Sequence, residues 1–351
     1  MDPDPFAAVL ERAIDLEAVG FSGVLRATRA DEVLHESCHG AANRADRIPI
    51  RPSTRFATAS LSKAFTAVGI LEAAARGEVG LHDAVVDVLP PDLRPSSLRD
   101  DVTVHHLLTH TSGIADYFEE DETLPGHIED MAEIWQTLPN YTVRDYVALL
   151  PLFADLPPNF PPGEYHYNNA GYVLLGIMLA EVSGMPFADA ITTRVFEPVG
   201  MTASGYPAFD EVYPDIATGY LPPLAPGMPW RTNIYSVHPV GGGDGGAVVS
   251  APDVTRFLRA VGRGGVWPGV TPADLLTPRA PSGDGWAVTY GANLRQDGVL
   301  SRGGGDPGVA ALARLRASDD TTMVFLANIG WDDVEGLDGL LEAFDEAVFA
   351  A

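Results

Sequence analysis

The sequence carries one cysteine and one lysine in 351 residues. Cys38 alone can form no disulfide within the chain and cannot supply a multi-cysteine metal site. It lies in VLHESCHG, a stretch of strand-like alternation, and reads as core or strand filler rather than as a nucleophile. Positive charge is also scarce: 22 Lys plus Arg against 48 Asp plus Glu leave a net charge of −26. A field of that sign repels a phosphate backbone and speaks against nucleic acid as a partner. There is no run of 18 or more apolar residues, so no stretch reads as a membrane span. The opening MDPDPFAAVLERAIDLEAVG lacks a basic start and carries acids through its apolar positions; it reads as a helix rather than a signal peptide, and the expected compartment is the cytoplasm. No H-E-x-x-H or comparable ligand set accompanies His105, His106 and His110, and no G-x-S-x-G elbow occurs. No metal and no cofactor are expected. His110, in T-H-T-S-G, reads as a loop-bracing hydrogen-bonder.

What remains is an ordinary globular composition, 46% apolar and 20% charged, in a chain long enough for a large core. Residues 20–43 read as two strands turning at Ala30–Asp31. Ser60 to Arg76 has helical spacing, with Gly77 as its stop. Strand signals return from Trp286 in WAVTYGANL, GVLSR, VAALARLRA and TTMVFLANI, and Asp333 to Phe349 reads as an amphipathic helix. Strands at both ends and helices between them predict an α+β fold, an antiparallel sheet flanked by helices. The expected division is a sheet domain of residues 1–78 and 240–351 and a mainly helical insert of residues 79–239.

The first chemical signal is Ser60-Leu61-Ser62-Lys63. Residues three apart share a helix face, so the Lys63 amine can reach the Ser60 hydroxyl. A serine hydroxyl needs a neighbouring base, and a buried lysine can serve as one. Lys63 is the single lysine of a chain that otherwise uses arginine for positive charge. Arginine cannot give up its proton in a protein, whereas lysine can, so the retained amine points to chemistry. Ser62, beside Lys63 in sequence, faces away from it on a helix, and Ser112 reads as a turn residue. Tyr167-Asn168-Asn169 supplies a phenol able to relay a proton and an amide able to bind a substrate carbonyl while steadying the lysine. Two stretches, Gly241 to Gly246 and Gly303 to Gly308, satisfy G-x-G-x-x-G, but neither is followed at once by a helix signal, so neither reads as a dinucleotide site.

These blocks resemble the penicillin-recognising serine hydrolases: class C β-lactamases, D-alanyl-D-alanine carboxypeptidases, D-aminopeptidases and their esterase relatives. FATASLSKAFTA is similar to the nucleophile helix of that family, TVHHLLTHTSGIADY to its H-L-L-T-H-T-S-G block, and PPGEYHYNNAGYVLLG to its Y-x-N-x-G-Y segment. VFEPVGMTAS, IATGY and GGAVVSAPDVTRFLRA follow in the family's order. The resemblance implies a β-lactamase/transpeptidase-like fold, with Ser60, Lys63 and Tyr167 catalytic and Asn169 the motif asparagine. SRGGGDPGVAA departs from the pattern. Arg302 stands where the family carries Lys or His, followed by Gly303 and Gly304. Arginine keeps the charge and can fork onto a substrate carboxylate, but cannot exchange a proton. The implied oxyanion hole is the backbone N–H of Ser60 with that of Gly305, to within one residue.

The expected reaction is acyl transfer through an acyl-enzyme on a small ester, amide or peptide. β-Lactam hydrolysis and a non-catalytic acyl-binding role are the alternatives. The acids from Asp116 to Glu133 raise the further expectation that Glu119, Glu120 and Asp121 border the site and favour amine-bearing substrates.

Overall fold

A computed structural model describes residues 4–124 and 126–350. Helix α1 (Ala7–Ala18) precedes strands β1 (Gly23–Arg29) and β2 (Glu32–His39), which turn at Ala30 with φ of 47°. Helices α2 (Lys63–Ala75), α3 (Asn169–Ser183) and α4 (Ala251–Arg263) follow, with shorter helical turns between them. Six strands then close the sheet: β3 (Ala280–Gly283), β4 (Trp286–Val288), β5 (Asn293–Arg295), β6 (Val299–Asp306), β7 (Val309–Arg316) and β8 (Thr321–Ala327). Helix α5 (Leu337–Phe349) ends the described chain.

The eight strands run in the order β2-β1-β8-β7-β6-β5-β4-β3, antiparallel throughout. β1 lies against β8, pairing Gly23 with Ala327 and Arg29 with Thr321. Alternation sorts the side chains of these strands between two cores. Leu25, Ala27, Met323 and Phe325 pack with Val9, Leu340 and Phe344 of α1 and α5. Val24, Val324, Leu326 and Leu315 pack with Phe65, Val68, Phe257 and Leu258 of α2 and α4. The second core continues into α3, whose Tyr172 to Leu175 are fully buried. Among the described residues no single helix is long and apolar enough to cross a membrane.

Three sequence readings are corrected. WAVTYGANL is not one strand: β4 stops at Val288, and Thr289 donates back to the carbonyl of Ala292 at 2.8 Å. Gly291, with φ of 81°, makes the turn, and a Cβ there would lie 2.6 Å from Cβ of Ala67 and 3.0 Å from the carbonyl of Lys63. The strand breaks because the chain must pass this closely over α2. Ser60 does not open an α-helix either. Ala59–Ser62 form a 3-10 turn and the α-helix begins at Lys63. The C-terminal helix begins at Leu337, after Gly336 in a left-handed conformation, and not at Asp333.

Candidate active site

The 3-10 turn brings Ser60 to the sheet. Ala59 before it has φ of 45°, a region that costs a non-glycine residue about 1–2 kcal/mol and that clusters at functional sites. The turn is pinned from behind: the Thr58 hydroxyl donates to the carbonyl of Ala247 at 2.9 Å, and Ala247 N–H donates to Ser62 Oγ at 3.0 Å. Ser62 is therefore buried structure and faces away from Lys63, as its position beside the lysine predicts.

Lys63 is fully buried. Its Nζ lies 2.8 Å from Ser60 Oγ, 2.7 Å from Asn169 Oδ1 and 2.6 Å from the carbonyl of Asp244. The two carbonyl-type oxygens can only accept, so they take two N–H groups. The third tetrahedral position points at Ser60: an N–H in the ammonium, a lone pair in the amine. Tyr167 approaches the same hydroxyl from the other side, its OH donating to Ser60 Oγ at 2.7 Å. Arg302 donates through Nη2 to the phenol oxygen at 3.1 Å and through Nε to the Ser60 carbonyl at 2.9 Å. Because the guanidinium can only donate, the phenol's own proton is turned towards Ser60.

These bonds refine two expectations. Arg302 is buried and already holds the serine turn and the phenol, rather than standing free for a substrate carboxylate. The Asn169 amide steadies Lys63 as expected. Its Nδ2, however, donates to Asp116 Oδ2 at 3.2 Å rather than facing a substrate carbonyl.

Sequence reading missed the support beneath this cluster. Asp116 was one acid among many in a polar segment, yet it is buried under the first turn of α3 and accepts from the backbone N–H of Asn169 at 2.5 Å and of Ala170 at 3.0 Å. Carboxylate at a helix N-terminus is favourable; burial still raises this carboxyl to about 7 against the opposing pull of those donors. Asn168 caps the same helix, its side chain accepting from Gly171 N–H at 2.6 Å. His110 accepts from Asn168 N–H at 3.1 Å through Nδ1, and its ring lies 4.7 Å from that of Tyr167. Burial, then the nearby Arg302 and Lys63, push its pKa well below the ordinary value, so it braces the motif as a neutral ring. His105 bonds the Tyr290 hydroxyl and His106 closes a capping box with Thr103.

Strand β6 forms the opposite wall. β5 pairs with it only at Leu300 and Ser301, so among the described residues Gly303 to Asp306 have no partner strand on that side. Gly304 presses on the serine turn: a Cβ there would lie 2.1 Å from the Thr58 carbonyl and 2.9 Å from Ser60 N. Gly305 is exposed, with Trp331 behind it, and Trp331 Nε1 donates to the Gly304 carbonyl at 3.0 Å. The cleft in front, about 1100 Å³, is lined by Ser60, Tyr167, Arg302, Phe118, Glu120 and Gly303 to Gly308 among others. Of the three acids expected at its rim only Glu120 lines it. Glu119 is buried and accepts from His166 and from Asn159 Nδ2 at 3.1 Å, and Asp121 bonds Thr123. The glycine runs also resolve. Gly303 to Gly305 lie within β6, and the run ending at Gly246 leads into the short strand Val248–Ser250, so neither opens a helix.

The site is thus an antiparallel sheet backed by helices, with a Ser–Lys–Tyr cluster against the glycine segment of β6. The beta-lactamase family model matches residues 13–342, and the chain belongs to that family of serine hydrolases. It is 29% identical to the putative penicillin-binding protein PbpX of Bacillus subtilis over 90% of this chain and 72% of that protein. It is 31% identical to esterase EstB of Burkholderia gladioli, covering 72% of this chain and 68% of that one. A solved penicillin-binding protein from Bacillus halodurans superposes with a TM-score of 0.85 at 34% identity, covering 96% of this chain and 99% of the other.

Proposed function

We propose that the protein hydrolyses a small ester or amide through an acyl-enzyme on Ser60. The observation that carries this reading is the contact of Ser60 Oγ with both Lys63 Nζ and Tyr167 OH, at 2.8 and 2.7 Å. In the amine form Lys63 accepts the serine proton as Oγ attacks the carbonyl carbon. The oxyanion that forms is held by Ser60 N–H and an N–H of the glycine segment of β6, which we take to be that of Gly305. Collapse breaks the bond to the leaving group, which takes the phenol proton of Tyr167, and the proton that Lys63 took from the serine then restores the phenol, the acylated Ser60 Oγ carrying none. Water then attacks the acyl-enzyme by the reverse proton path, releasing the acid and restoring Ser60. Asn169 and the Asp244 carbonyl hold the lysine, and Arg302 holds the phenol. The division into a sheet part, residues 1–78 and 240–351, and a helical insert, residues 79–239, belongs to the same proposal, as does a cytoplasmic place of action.

Hydrolysis of p-nitrophenyl butyrate by the wild type, lost in Ser60→Ala and Lys63→Ala, is the expected result. Lys63→Arg should be equally inactive, since it keeps the charge but not the titratable amine. Substantial turnover by Ser60→Ala, or a fluorophosphonate adduct mapped to another residue, would sink the assignment. A stable penicillin adduct on Ser60 without turnover of any ester would instead make the protein an acyl-binding member.

A further inference from the structure

Beside the catalytic serine the cleft deepens into a recess of about 60 Å³, room for a few water-sized groups. Ser60, Asn169, Gly305, Phe118, Trp135 and Met131 form part of its wall. Its polar lining is acidic. Asp244 is 4% exposed and lines the recess; Oδ2 accepts from Tyr117 OH, while Oδ1 is buried with no partner among the described residues. Asp306, on the last residue of β6, makes no side-chain hydrogen bond among the described residues, and Glu120 stands at the mouth. The remaining titratable side chains of its lining are Tyr117 and His238, and Lys63 lies behind it, donating to the Asp244 carbonyl. Lys63 is fully engaged, and His238 has its pKa lowered by burial, with Nδ1 buried and without a partner among the described residues. An unsatisfied carboxylate oxygen inside a protein is costly, and the structure leaves one open here beside a second unpaired carboxyl.

We infer that this recess is a subsite for a protonated amine carried by the substrate, with Asp244 Oδ1 and Asp306 as its acceptors. A cation there supplies the missing donors to both carboxyls. Phe118 and Trp135 add aromatic side chains to the wall, a residue type that favours ammonium groups. This places amine selection deeper than the acidic loop: Glu119, the most buried acid of that loop, is occupied by His166. The inference rests on the hydrolase reading and names its substrate class as cationic esters and amides.

The test pairs glycyl and β-alanyl p-nitrophenyl esters with the propanoyl and butanoyl esters of the same shape. The wild type should favour the cationic member by about ten- to a hundredfold in kcat/KM after correction for spontaneous hydrolysis, and Asp306→Asn should remove most of that ratio. On the wild type alone, ethylammonium and propylammonium should inhibit butanoyl ester hydrolysis competitively, whereas the alcohols of the same length should not. Equal kcat/KM for cationic and neutral esters, with no inhibition by the ammonium ions, overturns the subsite while leaving the hydrolase intact. Absence of turnover with every ester, in a wild type that does not react with fluorophosphonate, overturns the hydrolase itself.

Discussion

At the scale of residues, the site is an arrangement of donors around one oxygen. Ser60 Oγ faces an amine nitrogen and a phenol, and each is turned by groups that can act in one sense only: carbonyl-type acceptors for Lys63, a guanidinium donor for Tyr167. Removing the phenol therefore removes a proton relay without disturbing the nucleophile. Tyr167→Phe should lower kcat/KM for p-nitrophenyl esters by about 10²–10⁴ while Ser60 still reacts slowly with fluorophosphonate. An unchanged rate would assign the relay to Lys63 alone. Ser60 and Lys63 were legible in the sequence because their spacing and the scarcity of lysine both bear on proton chemistry. Asp116 and Asp244 were not. Each is one acid among 48, and its meaning comes from burial by segments distant in sequence.

At the scale of elements, two backbones meet: the serine turn and the glycine segment of β6. Gly304 sits where any side chain would strike main-chain atoms, so it cannot be accommodated by a rotamer change. Gly304→Ala should push the strand off the turn and misplace the oxyanion donors, lowering kcat by about 10²–10³. Measuring kcat beside the thermal midpoint separates this from unfolding; a variant that keeps full kcat would refute the close approach. Alternation and turn signals gave the long strands β1, β2, β7 and β8 from sequence. They failed for β3, whose Ala-Pro-Ser-Gly lacks β-branched residues, and for β4 and β5, where contact with α2 and not local preference breaks the chain. The 3-10 geometry at Ser60 was hidden for the same reason: it is fixed by Ala247 and β6, which lie far along the chain.

At the scale of the molecule, a strongly acidic chain has buried several of its acids. Asp116 and Asp306 are both held up to about 7 by burial, above the ordinary carboxyl value of 3.8. The folded state thus keeps these protons over a range in which the unfolded chain has lost them. Their contribution to stability is full below the unfolded value and is lost as pH rises through about 7. The difference in thermal midpoint between wild type and Asp306→Asn should therefore shift against the wild type as pH is raised from about 4.5 to about 8. His110 works in the opposite sense but is common to both proteins. A difference that stays constant across that range would contradict the burial argument.

The pairing of β1 with β8 has a consequence for how the chain is made. Gly23 and Ala327 are neighbours in the sheet although about 300 residues separate them. During synthesis, at about 5–20 residues per second, β1 waits on the order of tens of seconds for its partner. The wall that faces Ser60 is finished only shortly before that partner emerges. Sheet closure and the completion of the site are thus nearly one late event, so incomplete chains expose the open edge of β1 and carry no assembled active site.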